Sequence, residues 1–157
     1  MNEGEVKEEG QKDWWDLSVE QMDEVVSRAE DITDVLAELA CRVIKRRAWL
    51  RAMIVATRCE LELRNIREMI KASNMVSELL IACEQLEKLH ERFCKDIAFH
   101  LIELEGDYGE AKKAMSMAGE LSRLLRETVV YFRAIVKETV KRELAELAES
   151  LEQLKEG

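Results

Sequence analysis

From residue 18 onward the chain returns to an apolar side chain every three or four positions. Met22, Val25, Ala29, Ile32, Leu36, Leu39 and Val43 form the first such row. An α-helix gathers this spacing on one stripe, whereas a strand would scatter it over two faces. The spacing therefore predicts a helix starting at Ser18. Ser18 serves as its cap, Gln21 completes a capping box, and Leu17 staples onto Met22.

A second row follows at Leu50, Met53, Ile54, Leu61, Ile66, Met69 and Ile70. Between the two rows lie Lys45, Arg46 and Arg47, none of them a strong helix breaker. Residues 18–72 thus form either one very long helix or two joined by a tight turn near 46–48. Charge favours the turn. Residues 18–38 carry Glu20, Asp23, Glu24, Glu30, Asp31, Asp34 and Glu38 against Arg28 alone. Residues 42–71 carry nine basic residues against Glu60, Glu62 and Glu68, so a hairpin would lay the acidic helix along the basic one.

Ser73 and Asn74 mark the next turn, and a third row runs through Val76, Leu79, Cys83, Leu86, His90, Phe93, Ile97, Leu101 and Leu104. Gly106 and Gly109 make the strongest break in the chain. Gly106 suits a left-handed cap, and Asp107 with Glu110 forms a further capping box. The last row starts at Met115 and passes Ala118, Leu121, Leu125, Val129, Phe132 and Val136. It continues through Val140, Leu144, Leu147, Leu151 and Leu154. That final helix, over about 108–154, would be roughly 70 Å long, far longer than its neighbours.

The pattern predicts an all-α fold: an elongated antiparallel helical bundle with a long C-terminal helix. It has four helices, or three if 18–72 is continuous. Residues 1–16 read as a flexible acidic N-terminal arm, and 17–157 as a single helical-bundle domain. The absence of proline and the abundance of leucine, alanine, glutamate, lysine and arginine agree with long helices.

A net charge of −9 counts against a nucleic-acid binder and against attraction to anionic membranes. No apolar stretch approaches the roughly 20 residues needed to span a bilayer. The opening MNEGEVKEEG resembles neither a secretory signal nor a basic transit peptide. Four cysteines without CxxC spacing read as reduced thiols in an intracellular, cytoplasmic or nuclear, protein.

Two groups of residues carry possible chemistry. Cys83, Glu87, His90 and Cys94 line one side of the third row, and a thiolate–imidazole pair at that spacing can hold zinc. One helix rarely completes a tetrahedral site, however, with Cys59 and His100 the only further recruits. Carboxylate pairs such as Glu20 with Asp23 and Glu84 with Glu87 carry little weight in so acidic a chain. A di-iron site needs two Glu-x-x-His motifs, and only Glu87 to His90 fits. The expectation is therefore no metal, no cofactor and no catalytic residue. The basic segment from Arg42 to Arg51, with Trp49 inside it, reads as a hairpin turn rather than a phosphate site.

The second group is apolar. Trp14, Trp15 and Leu17 stand in an otherwise polar stretch, where tryptophan can either pack back on the bundle or anchor a partner. Val140, Leu144, Leu147, Leu151 and Leu154 extend beyond the reach of a neighbouring helix. The leading functional expectation is a non-enzymatic scaffold or adaptor that binds protein helices or a second copy of itself, a homo-oligomer joined through its last helix. The alternatives are a metal-binding or magnesium-dependent all-α enzyme using Glu87, His90 and Cys94, and a designed bundle without evolved function. Four cysteines, seven methionines and a drifting heptad fit the designed reading poorly.

Overall fold

The computed structural model describes residues 13–43, 46–106 and 108–156, with the backbone alone at 41, 43 and 105. Helix α1 spans Trp14–Glu38, the short α2 Ala40–Val43, α3 Arg47–Ala72, α4 Glu78–Glu105 and α5 Gly109–Glu156. Among the described residues there is no strand. The fold is an all-α bundle of four long helices, and 18–72 is divided as the charge pattern favoured, but the break falls at Leu39 and ahead of Arg47, and 47–48 are already helical.

Helix α1 begins four residues earlier than expected. Asp13 caps it, its carboxylate accepting from the Asp16 amide at 2.9 Å. Ser18, expected as the cap, is buried inside the helix and donates to the Trp14 carbonyl at 2.6 Å. An ionised carboxylate at the positive end of the helix dipole is at least as good a cap as a hydroxyl. The earlier start also brings both tryptophans into the helix, so 13–16 are not part of a flexible arm. The rest of that arm, 1–12, lies outside the described residues.

Along α1 the expected row, Met22 to Leu39, is buried throughout; the side chain of Val43 lies outside the described residues. On α3 the expected row holds at Ile66 and Ile70, with Met53 and Met69 half-buried, but not in the first part of the helix. Leu50, Ile54 and Leu61 are exposed, and Ala48, Trp49, Ala52, Ala56, Cys59 and Leu63 face the core instead. Small residues at 48, 52 and 56 let α3 approach its neighbours closely, which large side chains there would prevent. Helix α4 buries its expected row apart from Val76 and His90, which are half-buried.

The turns follow the expected chemistry only in part. At 73–75 the Ser73 hydroxyl accepts from the Met75 amide at 3.0 Å. Gly106, expected in the left-handed region, has φ −68° and ψ −22°, and the Tyr108 amide donates to Leu104 at 3.1 Å. A right-handed turn thus continues past the end of α4, and the glycine's freedom is not used. The proposed Asp107 cap lies outside the described residues.

Helices α1 and α3 form an antiparallel hairpin fastened at both ends by the same device. The Trp15 indole N–H, in the first turn of α1, donates to the Ile70 carbonyl in the last turn of α3 at 3.0 Å. Reciprocally, the Trp49 indole, in the first turn of α3, donates to the Leu36 carbonyl near the end of α1 at 2.7 Å. Each of these carbonyls also accepts a main-chain amide, Ile70 from Ser73 and Leu36 from Leu39, both at 3.1 Å, so each indole adds a second bond at a helix end. Between these ends Arg64 bridges Glu30 at 2.6 Å and Glu60 at 2.9 Å, and Arg67 meets Asp23 at 3.5 Å.

Helix α4 packs on α3, α5 on α4, and α5 returns beside α1, closing a four-membered ring. The return is antiparallel: the Gln21 amide donates to the Thr128 hydroxyl at 2.8 Å, and Arg28 meets Glu120 at 3.2 Å. Leu36, Leu63, Leu86, Phe93, Leu121 and Phe132 fill the centre. Helices α1, α3 and α4 have 25, 26 and 28 residues against 48 in α5. That is about 38–42 Å against about 72 Å. Burial along α5 ends at Thr139, and every described residue from Val140 to Glu156 is exposed.

The reciprocal tryptophan bonds predict that Trp49→Phe lowers the unfolding free energy by about 1 kcal/mol for the lost bond, with packing loss in addition. Trp15→Phe, at a half-buried site, costs less. Urea unfolding curves measure both, and two unchanged midpoints would show that the clamps hold nothing.

Candidate interaction surface

The exposed stripe on α5 is turned by its own spacing. Phe132, Val136, Val140 and Leu144 follow one another in steps of four. Each such step advances about 40° around a helix of 3.6 residues per turn. The apolar row therefore leaves the bundle axis and swings toward one side as it leaves the bundle.

That side is the one facing α4. The Cys83 thiol approaches the Val129 carbonyl at 3.6 Å, the Cys94 sulfur lies 2.7 Å from the Ser122 hydroxyl, and Arg133 pairs with Glu87. Val140, Leu147 and Leu154 continue the seven-residue row of Arg133. Leu144 and Leu151 continue the row of Val130, which lines the groove between α4 and α5. The five side chains expected to bind a partner thus share one face, and their exposure rises from 42% at Val140 to 76% at Leu154.

The stripe runs on toward a groove of about 750 Å³ between α4 and α5, with exposed Leu80 and Val130 in its lining. Glu84, Glu87, Arg126 and Arg133 supply charge around it. Sequence reasoning missed this groove. Its signal was Val129 beside Val130, two adjacent apolar residues where a single stripe accommodates one.

Trp14, Trp15 and Leu17 belong to α1, which starts at the end of the bundle from which α5 projects, as the Gln21–Thr128 bond requires. All three are half-buried at the start of α1, with the Trp15 indole committed to Ile70 and Trp14 packed against the core. Trp49 is buried by the hairpin, and Arg42 pairs with Glu110 of α5 rather than with the acidic first helix.

The proposed ligand row is divided by its contacts. Cys83 is buried in the core, and burial raises its thiol pKa. Glu87 is held by Arg133. His90 and Cys94 do meet, with sulfur and Nε2 at 3.3 Å, and Ser122 completes that small polar cluster. Cys59 is buried, and desolvation, reinforced by Glu62, pushes its thiol far above the ordinary range. Among the described residues no group of three histidine, cysteine, aspartate or glutamate side chains is placed to hold a metal ion. Carboxylates singled out by spacing are in ion pairs: Asp23 with Arg67 and Glu84 with Lys88 at 3.2 Å.

Comparison with protein-family models, curated proteins and solved structures finds no match. The functional argument therefore rests on this chain's own surface. Among the described residues no helix is long and apolar enough to cross a membrane.

His90 gives a pH dependence with a definite sign. Burial, followed by the nearby Arg126 charge, lowers its pKa below the ordinary value. The unfolded chain then binds the proton more readily than the folded one. Stability is full above the ordinary histidine value of about 6.5 and falls as pH drops from there toward the depressed folded value. Urea midpoints at pH 7.5 and 5.5 should therefore differ more in the wild type than in His90→Gln. Equal losses in the two proteins would remove His90 from the account.

Proposed function

We propose that this is a non-enzymatic assembly protein, a scaffold or adaptor that self-associates through the projecting end of α5. The supporting observation is the exposed row from Val140 to Leu154 on a helix that outruns its three neighbours. A single helical segment of this length is marginal in water, because helix stability in proteins comes mainly from packing an apolar face. Covering that face with another helix in a coiled-coil manner removes the mismatch. Burying one leucine fully is worth about 1.5–3 kcal/mol, so several acting together are enough to drive association.

The reading carries no catalytic step and requires no cofactor. It suits a reducing intracellular compartment, since Cys59, Cys83 and Cys94 are free thiols and two of them are buried. The first helix and the bundle core serve as a rigid base from which the α5 end projects.

Light scattering over a wide concentration range provides the test. The wild type should shift from monomer to a defined oligomer as concentration rises. Leu147→Glu and Leu151→Glu should each weaken that association about a hundredfold or more, leaving the bundle's unfolding unchanged. A strict monomer in which 140–156 stays helical would contradict the reading.

A further inference from the structure

We infer that the outward face of α3, between Arg47 and Leu61, docks an acidic amphipathic helix of another protein. The inference stands apart from the self-association proposed above, because it uses a different helix.

The charge pattern set the basic residues of 42–71 against the acidic first helix. Arg64 and Arg67 meet that expectation at Glu30 and Asp23, while Arg42 turns to Glu110. Arg47, Arg51 and Arg58 are exposed and form no ion pair among the described residues. From 46 to 59 the chain carries no aspartate or glutamate that could neutralise them from within α3.

Beside these arginines an apolar row stands in water. Leu50, Ile54 and Leu61, expected in the core, are 50%, 44% and 54% exposed. Each follows an arginine by three positions: Leu50 after Arg47, Ile54 after Arg51, Leu61 after Arg58. Residues three apart are neighbours on a helix surface, so the two rows run side by side. The seven-residue steps from Ile54 to Leu61 and from Arg51 to Arg58 have the period of a coiled-coil seam, apolar at the contact and charged at its edge.

Arg51 and Arg58 hold the edge toward α4, where Arg58 lines a small cleft with Leu89, Phe93 and Asp96. The acids on that side leave them free. Glu62 is held by Arg92 at 3.4 Å, and neither Asp96 nor Glu103, seven residues on, forms an ion pair among the described residues. On the opposite edge Glu60 is taken up by Arg64 at 2.9 Å and by the Thr33 hydroxyl at 2.8 Å.

A helix laid on this seam, over about 21 Å, meets leucine and isoleucine at its centre and unpaired guanidinium groups along one edge. The side chains that complement it are an apolar heptad row bordered by aspartate or glutamate. The α5 stripe of a second copy is a poorer match, since Lys141 and Lys155 stand within one turn of its leucines at 144 and 151.

Binding of two synthetic helical peptides to the full chain, followed by fluorescence anisotropy, tests the inference. Both carry leucine at the seam positions of a heptad; one has glutamate at the flanking positions and the other lysine. The glutamate peptide should bind, and the lysine peptide should bind about tenfold more weakly or less. Arg51→Glu combined with Arg58→Glu should reverse that preference, and Ile54→Ser should weaken the glutamate peptide. Leu151→Glu should leave its binding unchanged. Equal binding of the two peptides, or a preference that survives the charge reversal, would overturn the inference. Loss of binding in Leu151→Glu would place the site on α5 and overturn it too, as would capture by phosphatidylserine vesicles with neither peptide bound.

Discussion

An amphipathic helix is held in place by the surface it covers, and in this protein the longest helix has more apolar edge than its neighbours can cover. Over the bundle, α5 is packed between α1 and α4 and buries Leu121, Leu125 and Phe132. Past Thr139 those neighbours have ended, and the helix goes on with leucine at 144, 147, 151 and 154. Removing apolar area from water is the main favourable contribution to folding and association alike. The bundle uses it within one chain, and in the function proposed above the projecting end offers it to another.

The projecting end has a fixed direction because its base is fixed. Tryptophans at opposite ends of the α1–α3 hairpin each donate to a carbonyl of the other helix, so neither end of the hairpin can splay without losing a hydrogen bond. Exposed ion pairs such as Arg28 with Glu120 contribute little individually, about 0–1 kcal/mol, and their value lies in matching antiparallel partners. The apolar core then sets α5 against α4. The steps of four beyond Phe132 determine the side on which its stripe emerges.

Much of this was legible in the sequence where large apolar residues mark the buried face. The rows from Met22 to Leu39 and from Leu79 to Leu104 needed no correction at their core positions apart from His90. The row on α3 did, because alanines at 48, 52 and 56 carry no strong hydrophobic signal, and close packing rather than side-chain size selects them. The start of α1 was missed because several polar residues could cap it, and the choice depended on burying Trp14 and Trp15 against the end of α3. The Cys83 to Cys94 row illustrates the limit of spacing: four residues share a helix side, yet Cys83 turns to the core, Glu87 to Arg133, and only His90 and Cys94 meet. The α4–α5 groove depends on how two helices sit together, which no single row encodes.

The central claim is that the α5 end is ordered because another helix covers it. Hydrogen–deuterium exchange of the amides from Val140 to Glu156, followed over dilution, tests this most directly. Slow exchange at high concentration that accelerates on dilution, while the α4 core stays protected, is the predicted result. Exchange in this segment that is equally fast, or equally slow, at every concentration would contradict it.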